Sequence, residues 1–285
     1  MKQAMYYEKM DETMVKCMLC PHGCRLKPGQ TGICHARKNI DGDLFSLNYG
    51  KVTALALDPI EKKPLKRFFP GSMILSVGSF GCNLKCSFCQ NWQISQSEQA
   101  GRDATPEELA AAAQKAADAG NNIGLAYTYN EPSIWYEFVY ECAALAHERG
   151  LKNVLVTNGY ISKEPMEMLL PHIDAMNIDL KSMTSGFYRS LCKGEIGFVQ
   201  DTIRLCADAC HVEVTTLLIP GENDSEDEVR ALSQWLASVS PEIPLHLTRY
   251  HPDYRMGKPQ MERERLFDLA EIAGKTLRYV FCGNV

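Results

Sequence analysis

From residue 73 to 282 the chain alternates short β-rich runs with amphipathic helical stretches, and this rhythm restricts its fold more than any other feature. Runs at 73–77, 123–129, 153–157, 174–180, 212–219 and 245–250 read as buried strands, followed by a shorter one at 278–282. Helices are expected at 106–119, 133–149, 163–170, 198–210, 225–239 and 262–274. The clearest start is Thr105-Pro106-Glu107-Glu108. There Thr105 caps, Pro106 suits the first turn and Glu108 closes a capping box. Gly120 stops that helix, and Ser225 with Glu228 forms a second box. Strands alternating with helices predict a parallel sheet with right-handed crossovers. Six βα units fall short of the eight in a full barrel, so the expected fold is α/β with a partial (β/α)6 TIM-type barrel. An open doubly wound sheet is the alternative. In either, chemistry belongs at the carboxyl ends of the strands.

The lead-in differs. Residues 1–70 hold four cysteines and few long apolar runs, so a Cys-rich amino-terminal segment is expected ahead of a barrel at 71–285. Cysteine is the outlier, with twelve in 285 residues and seven of those before residue 90. Thirty basic against thirty-five acidic side chains leave a net charge of −5, which argues against broad nucleic-acid binding. No uncharged apolar run approaches the ~18 residues of a membrane span. The first sixteen residues are charged throughout and lack the apolar centre of an export signal. The expected location is the cytoplasm, where clustered cysteines point to metal or redox chemistry rather than disulfides.

Directly after the first barrel strand comes Gly81-Cys82-Asn83-Leu84-Lys85-Cys86-Ser87-Phe88-Cys89, a C-x3-C-x2-C pattern. Three thiolates on one tight loop can each take one iron of a [4Fe–4S] cubane, which leaves the fourth iron open to a small molecule. S-adenosylmethionine offers an amino and a carboxylate group to chelate that iron, bringing its sulfonium near the cluster. A structural zinc site and three buried thiols are the competing readings. Zinc normally takes four protein ligands, and neither Cys nor His occurs between 90 and 140.

The pattern, with Phe88 as its aromatic, is the radical SAM signature. Together with YTYNEPSIWYE, MNIDLKS, TTLLIPGENDS, RYHPDYRM and the terminal GNV, it resembles the radical SAM enzyme of the AmmeMemoRadiSam system. That group is similar to pyruvate formate-lyase activating enzymes, and the resemblance runs from about Cys17 to Val285. It implies reductive cleavage of S-adenosylmethionine to a 5′-deoxyadenosyl radical that abstracts hydrogen from a substrate. It also implies a flavodoxin- or ferredoxin-type electron donor and partner proteins of that system.

Residue by residue, the resemblance puts Phe88 near the adenine and Glu131 at the methionine ammonium. Lys181 falls on the methionine carboxylate, with Asp179 orienting it, and His251 falls on the ribose. Asn130 stands where the family has glycine, so it carries over less directly. Asn158, in Thr157-Asn158-Gly159, is placed to meet the ribose hydroxyls, although turn chemistry alone explains Asn-Gly. Large glycyl-radical activases carry a cysteine-bearing insert after the motif; residues 90–122 contain no cysteine, which disfavours that subtype. Glycyl-radical activation of a protein partner stays as the second enzymatic reading. A non-catalytic Cys-rich metal or interaction module is the third.

Cys17, Cys20, Cys24 and Cys34 form a separate thiol set. Four thiolates can close a zinc site or hold a second iron–sulfur cluster, and the spacing leaves the metal open. The basic run Lys62–Arg67 reads as a solvated loop, or as a guide for an acidic partner. Cys142, Cys206 and Cys210 read as small buried hydrophobes, and His246 as a residue of the core.

Overall fold

The computed structural model describes all 285 residues. At its centre lies an eight-stranded sheet: β1 (Ala54–Pro59), β2 (Met73–Gly78), β3 (Asn122–Tyr127), β4 (Lys152–Thr157), β5 (Ala175–Asp179), β6 (His211–Leu218), β7 (Leu245–Arg249) and β8 (Val280–Gly283). The strands lie side by side in chain order. From β2 to β8 every pairing is parallel, while β1 runs antiparallel to β2. Helices α1 (Pro106–Asp118), α2 (Tyr136–Glu148), α3 (Lys163–Leu169), α4 (Ile196–Ala207), α5 (Glu226–Val239) and α6 (Arg263–Gly274) make the crossovers. A doubly wound sheet reverses its strand order at a switch point; this one never does. It is the partial barrel, with β1 and β8 at its two edges.

Local chemistry sets the helix ends. Thr105 Oγ1 accepts from Glu108 N at 3.2 Å, and Glu108 Oε2 accepts from Thr105 N at 2.9 Å, the reciprocal box expected at α1. The second box is only half made. Ser225 Oγ accepts from Glu228 N at 3.1 Å. The Glu228 carboxylate, however, accepts from Ser182 Oγ and Met183 N at 2.5 and 2.6 Å. Tying down the loop after β5 displaces the local bond, because that loop's polar groups are shielded from water.

The lead-in builds two small three-stranded antiparallel sheets, and its Lys51–Val52 pairs antiparallel with Arg102–Asp103. Strand β1 was not expected, and it places the start of the large sheet at residue 54. Its exposed Leu55 and Leu57 gave no buried-strand signal. The basic run is solvated as expected at Lys62, Lys66 and Arg67, which are exposed, but not throughout. Between β1 and β2 it folds under the barrel, where Ile60, Leu65 and Phe68 pack on Ile74, Ala126, Val154 and Ala175. Lys63 is buried, 2.8 Å from Asp58 and 4.7 Å from the centre of the Tyr129 ring. Apolar neighbours in the same segment anchor its backbone, and Lys63 alone of its basic side chains is buried.

That floor is held by one carboxylate. Buried Glu213 on β6 accepts from the backbone N–H groups of Lys66 and Arg67 at 3.0 and 2.7 Å. It also accepts from His211 and His246 Nε2 at 2.9 and 2.5 Å, so His246 is the satisfied interior residue expected. Burial alone would raise the Glu213 pKa; the four hydrogen bonds outweigh it and hold the group down at about 2. A folded pKa below the unfolded one stabilises above the unfolded value, and the gain is lost as pH falls from about 4.5 toward 2. Glu213→Gln should therefore cost about 3 kcal/mol at pH 7. Denaturant midpoints should also fall less steeply below pH 4.5 in the variant than in the parent.

Candidate active site

The carboxyl ends of the parallel strands open into one cavity of about 370 Å³. The loop after β2 supplies Cys82, Cys86, Phe88 and Cys89, and the β3 end supplies Asn130 and Glu131. Thr157 and Asn158 come from β4, and Asp179 and Lys181 from β5. The structure thus brings the expected residues to one wall, with one exception. His251 is exposed and stands off the wall, its Nδ1 3.4 Å from Nε2 of the cavity residue Gln90.

The cysteine loop is pinned from three sides. Asn130 Oδ1 accepts from Ser79 N at 2.8 Å, and its Nδ2 donates to the Phe80 and Gly81 carbonyls at 3.2 Å. Asn158 Nδ2 donates to Asn83 Oδ1 at 2.9 Å and to Cys82 Sγ at 3.5 Å. Asn83 Nδ2 in turn donates to the Tyr160 carbonyl at 2.6 Å. A wide helical turn at Tyr188–Cys192 supplies the third side, since Lys85 N and Ser87 N donate to the Cys192 and Leu191 carbonyls. Gly81 is obligatory: its φ is +89°, and a Cβ there would stand 2.4 Å from the Cys34 carbonyl oxygen.

Glu131 joins the ends of β3 and β4. Its carboxylate accepts from Ser133 N (2.9 Å), Thr157 Oγ1 (2.6 Å) and Asn158 N (2.8 Å). Those bonds use three of roughly four acceptor positions. Burial pushes its pKa up despite the three donors. Lys181 Nζ lies 2.8 Å from Asp179 Oδ2. Burial would discharge this ammonium, but the facing Asp179 carboxylate outweighs it and keeps the amine well above its ordinary pKa. Phe88 is buried, with its ring 5.7 Å from that of Phe187.

Several wall residues were given no role from the sequence, although Tyr129, Thr215 and Asn284 fall within the motifs. Tyr129 lines the cavity with φ at +71° and donates to Asp58 Oδ2 at 2.7 Å. Lys62 and Pro64 rise from the floor, while Thr215, Thr248 and Asn284 close the far side. Thr248 was marked only by period-two alternation on its strand. Cys192 is buried with its thiol against Cys86 but is not on the cavity wall.

The donor set fits an iron–sulfur cluster. Three soft sulfurs from one loop line the cavity, and no further cysteine does.

A parallel partial barrel with three cysteines after its first parallel strand is the architecture of radical SAM enzymes. The model of the Radical SAM superfamily matches residues 76–232, more than half of the chain, and the chain belongs to that superfamily. It is an enzyme of the radical SAM class, with a [4Fe–4S] cluster and S-adenosylmethionine as cofactors. The uncharacterized protein MJ0808 of Methanocaldococcus jannaschii is 42% identical, over 100% of this chain and 86% of its own length. A pyruvate formate-lyase-activating enzyme of Clostridium pasteurianum is 25% identical over 60% of this chain and 72% of its own. Among solved structures, a radical SAM methyltransferase from Sphaerobacter thermophilus shares the fold. It superposes with a TM-score of 0.59 at 18% identity, covering 98% of this chain and 75% of that one. No helix here is long and apolar enough to cross a membrane.

Because Asn130 satisfies one buried N–H and two buried carbonyls, Asn130→Ala should destabilise the fold by about 2–3 kcal/mol. Denaturant unfolding measures this, and a loss under about 0.5 kcal/mol would show that the loop holds itself.

Proposed function

We propose that Cys82, Cys86 and Cys89 hold the [4Fe–4S] cluster through three irons and that the cavity beside them binds S-adenosylmethionine on the fourth. The observation that carries this reading is the convergence of three cysteines and two oppositely charged partners, Glu131 and Lys181, on one wall at the strand ends. When bound, the cluster supplies one electron to the sulfonium, so that the C5′–S bond breaks to methionine and a 5′-deoxyadenosyl radical able to take hydrogen from a substrate.

The chain's own residues bind and orient. Lys181 faces the methionine carboxylate, and Asp179 holds the ammonium in place while keeping it charged. Glu131 offers its remaining acceptor position to the methionine amino group, and its three internal bonds fix that carboxylate in one orientation. Phe88 forms an apolar wall for the adenine and His251 sits at the rim, while Asn158 uses its amide on Asn83, Cys82 and the Tyr160 N–H and so holds the cysteine loop. Asn130 acts on the loop rather than on the cofactor, because its amide is fully used by backbone groups of residues 79–81. Substrate takes the part of the cavity walled by Lys62, Pro64, Thr215 and Thr248.

The electron comes from a flavodoxin- or ferredoxin-type donor. The sequence motifs support membership of the AmmeMemoRadiSam system, with its partner proteins. Similarity to an activating enzyme favours one further reading, formation of a glycyl radical on a protein partner. Candidate partners that develop a glycyl EPR doublet after incubation would establish it, and a silent spectrum with turnover of a small molecule would remove it.

Two variants test the roles. Cys86→Ala should lose the S-adenosylmethionine-sensitive EPR signal and form no 5′-deoxyadenosine under strong reductant; retained activity would refute its role as a ligand. Lys181→Ala should keep its iron but bind S-adenosylmethionine about tenfold more weakly by titration, a loss of about 1.4 kcal/mol. An unchanged dissociation constant would remove Lys181 from the site.

A further inference from the structure

The cysteine loop turns a second side away from the cavity. Cys82, Leu84, Cys86 and Phe88 line the cavity, whereas the alternate residues Lys85 and Ser87 do not. Their N–H groups donate to the Cys192 and Leu191 carbonyls at 2.8 and 3.0 Å, on the wide turn that carries Arg189 and ends at Lys193. The Ser87 carbonyl accepts from Arg255 N at 3.0 Å. Four cations therefore gather around this side of the loop. Arg189, Lys193 and Arg255 are exposed, and half-buried Lys85 donates through Nζ to the Cys82 carbonyl at 3.3 Å.

None of the four pairs with a carboxylate. Asp253 lies two residues from Arg255 and Glu195 two from Lys193, yet Asp253 accepts from Tyr254 N instead, and Glu195 forms no ion pair. Like charges so gathered repel, and an anionic surface laid over them relieves the repulsion. In a chain whose net charge is −5, this is a place where an acidic protein meets attraction. Aromatic groups stand beside it. Arg255 lies over the Tyr254 ring, 4.9 Å from its centre, and Tyr254 stacks on Trp92 with ring centres 5.2 Å apart. Trp92, three residues past Cys89, is 37% exposed. Tyr254 holds φ at +53°, a conformation that bulky residues rarely adopt, so local strain is tolerated to keep the pair in place. Trp, Tyr and Arg are the side chains that most often anchor protein interfaces.

We propose, resting on the cluster reading above, that this face docks the electron donor, a small acidic one-electron carrier protein, over the cysteine loop. Arg189, Lys193 and Arg255 meet its carboxylates, and Trp92 with Tyr254 supplies the apolar contact. One electron leaves the reduced carrier, which is oxidised by one unit, and reduces the cluster from 2+ to 1+. No bond forms and no proton moves. S-adenosylmethionine meets the cluster from the cavity, so donor and cofactor approach from different sides and do not compete.

The test uses the full chain after anaerobic reconstitution, with an acidic flavodoxin as the probe and its dissociation constant read by titration. Affinity of the parent should fall at least about tenfold as salt rises from roughly 0.05 to 0.3 M. The variant with Arg189→Glu, Lys193→Glu and Arg255→Glu should bind at least about tenfold more weakly at low salt. Its cluster should be reduced correspondingly slowly by reduced flavodoxin, followed by EPR, while its 5′-deoxyadenosine yield under dithionite matches the parent. Lys66→Glu with Arg67→Glu, on the far basic run, should leave the affinity unchanged. If the triple Glu variant fails to fold, the same three changes to Gln should weaken binding severalfold. Salt-independent binding by the parent, unchanged affinity in the folded triple variant, or an equal loss in the Lys66, Arg67 variant would overturn the proposal. So would a triple variant that keeps its flavodoxin affinity but no longer acts on a protein substrate, which would assign the face to that substrate. Failure of the cluster reading has a different signature: the parent would take up no iron and form no 5′-deoxyadenosine with dithionite, whatever its affinity for flavodoxin.

Discussion

The cysteine loop between β2 and α1 is largely buried without belonging to the sheet, so its backbone donors and acceptors must find partners one by one. Three asparagines meet much of that demand. Asn130 takes residues 79–81, Asn83 reaches across to Tyr160, and Asn158 ties Asn83 and Cys82 to the end of β4. The sulfurs are thereby placed by the barrel rather than by a metal. Removing one such amide leaves buried polar atoms unpaired, which costs more than the bond itself contributes.

The incomplete barrel explains how a cavity exists at all. A closed eight-stranded barrel fills its interior with side-chain layers. Here β1 and β8 remain unpaired edges, and the lower half is plugged by the segment between β1 and β2. Glu213 gathers that segment's amides and two histidines onto one carboxylate. The upper half stays open, lined by charged and amide side chains at the strand ends. Plug and cavity are two halves of one interior.

Much of this was legible beforehand. Strand positions followed from short β-branched runs, and the cap at α1 from Thr105 and Glu108, because those signals are local. The cysteine triad was legible because its three sulfurs sit within eight residues on one loop. Other features were not. Strand β1 exposes its leucines and pairs only through the sheet. The backbone of the basic run is anchored by apolar neighbours and by Glu213, some 147 residues away, while most of its charges stay in solvent. Glu228 abandons its local box for a loop that only the fold brings near. His251 carried a motif signal, yet it lies on the rim.

By itself the sequence determined the βα rhythm, the sulfur donors and the family, since each depends on residues close together along the chain. Tertiary structure decided which amides hold the cysteine loop, which charges face Lys181 and Glu131, and what fills the barrel floor. These outcomes depend on groups far apart in sequence competing for the same buried hydrogen bonds, and that competition is resolved only when the chain is folded.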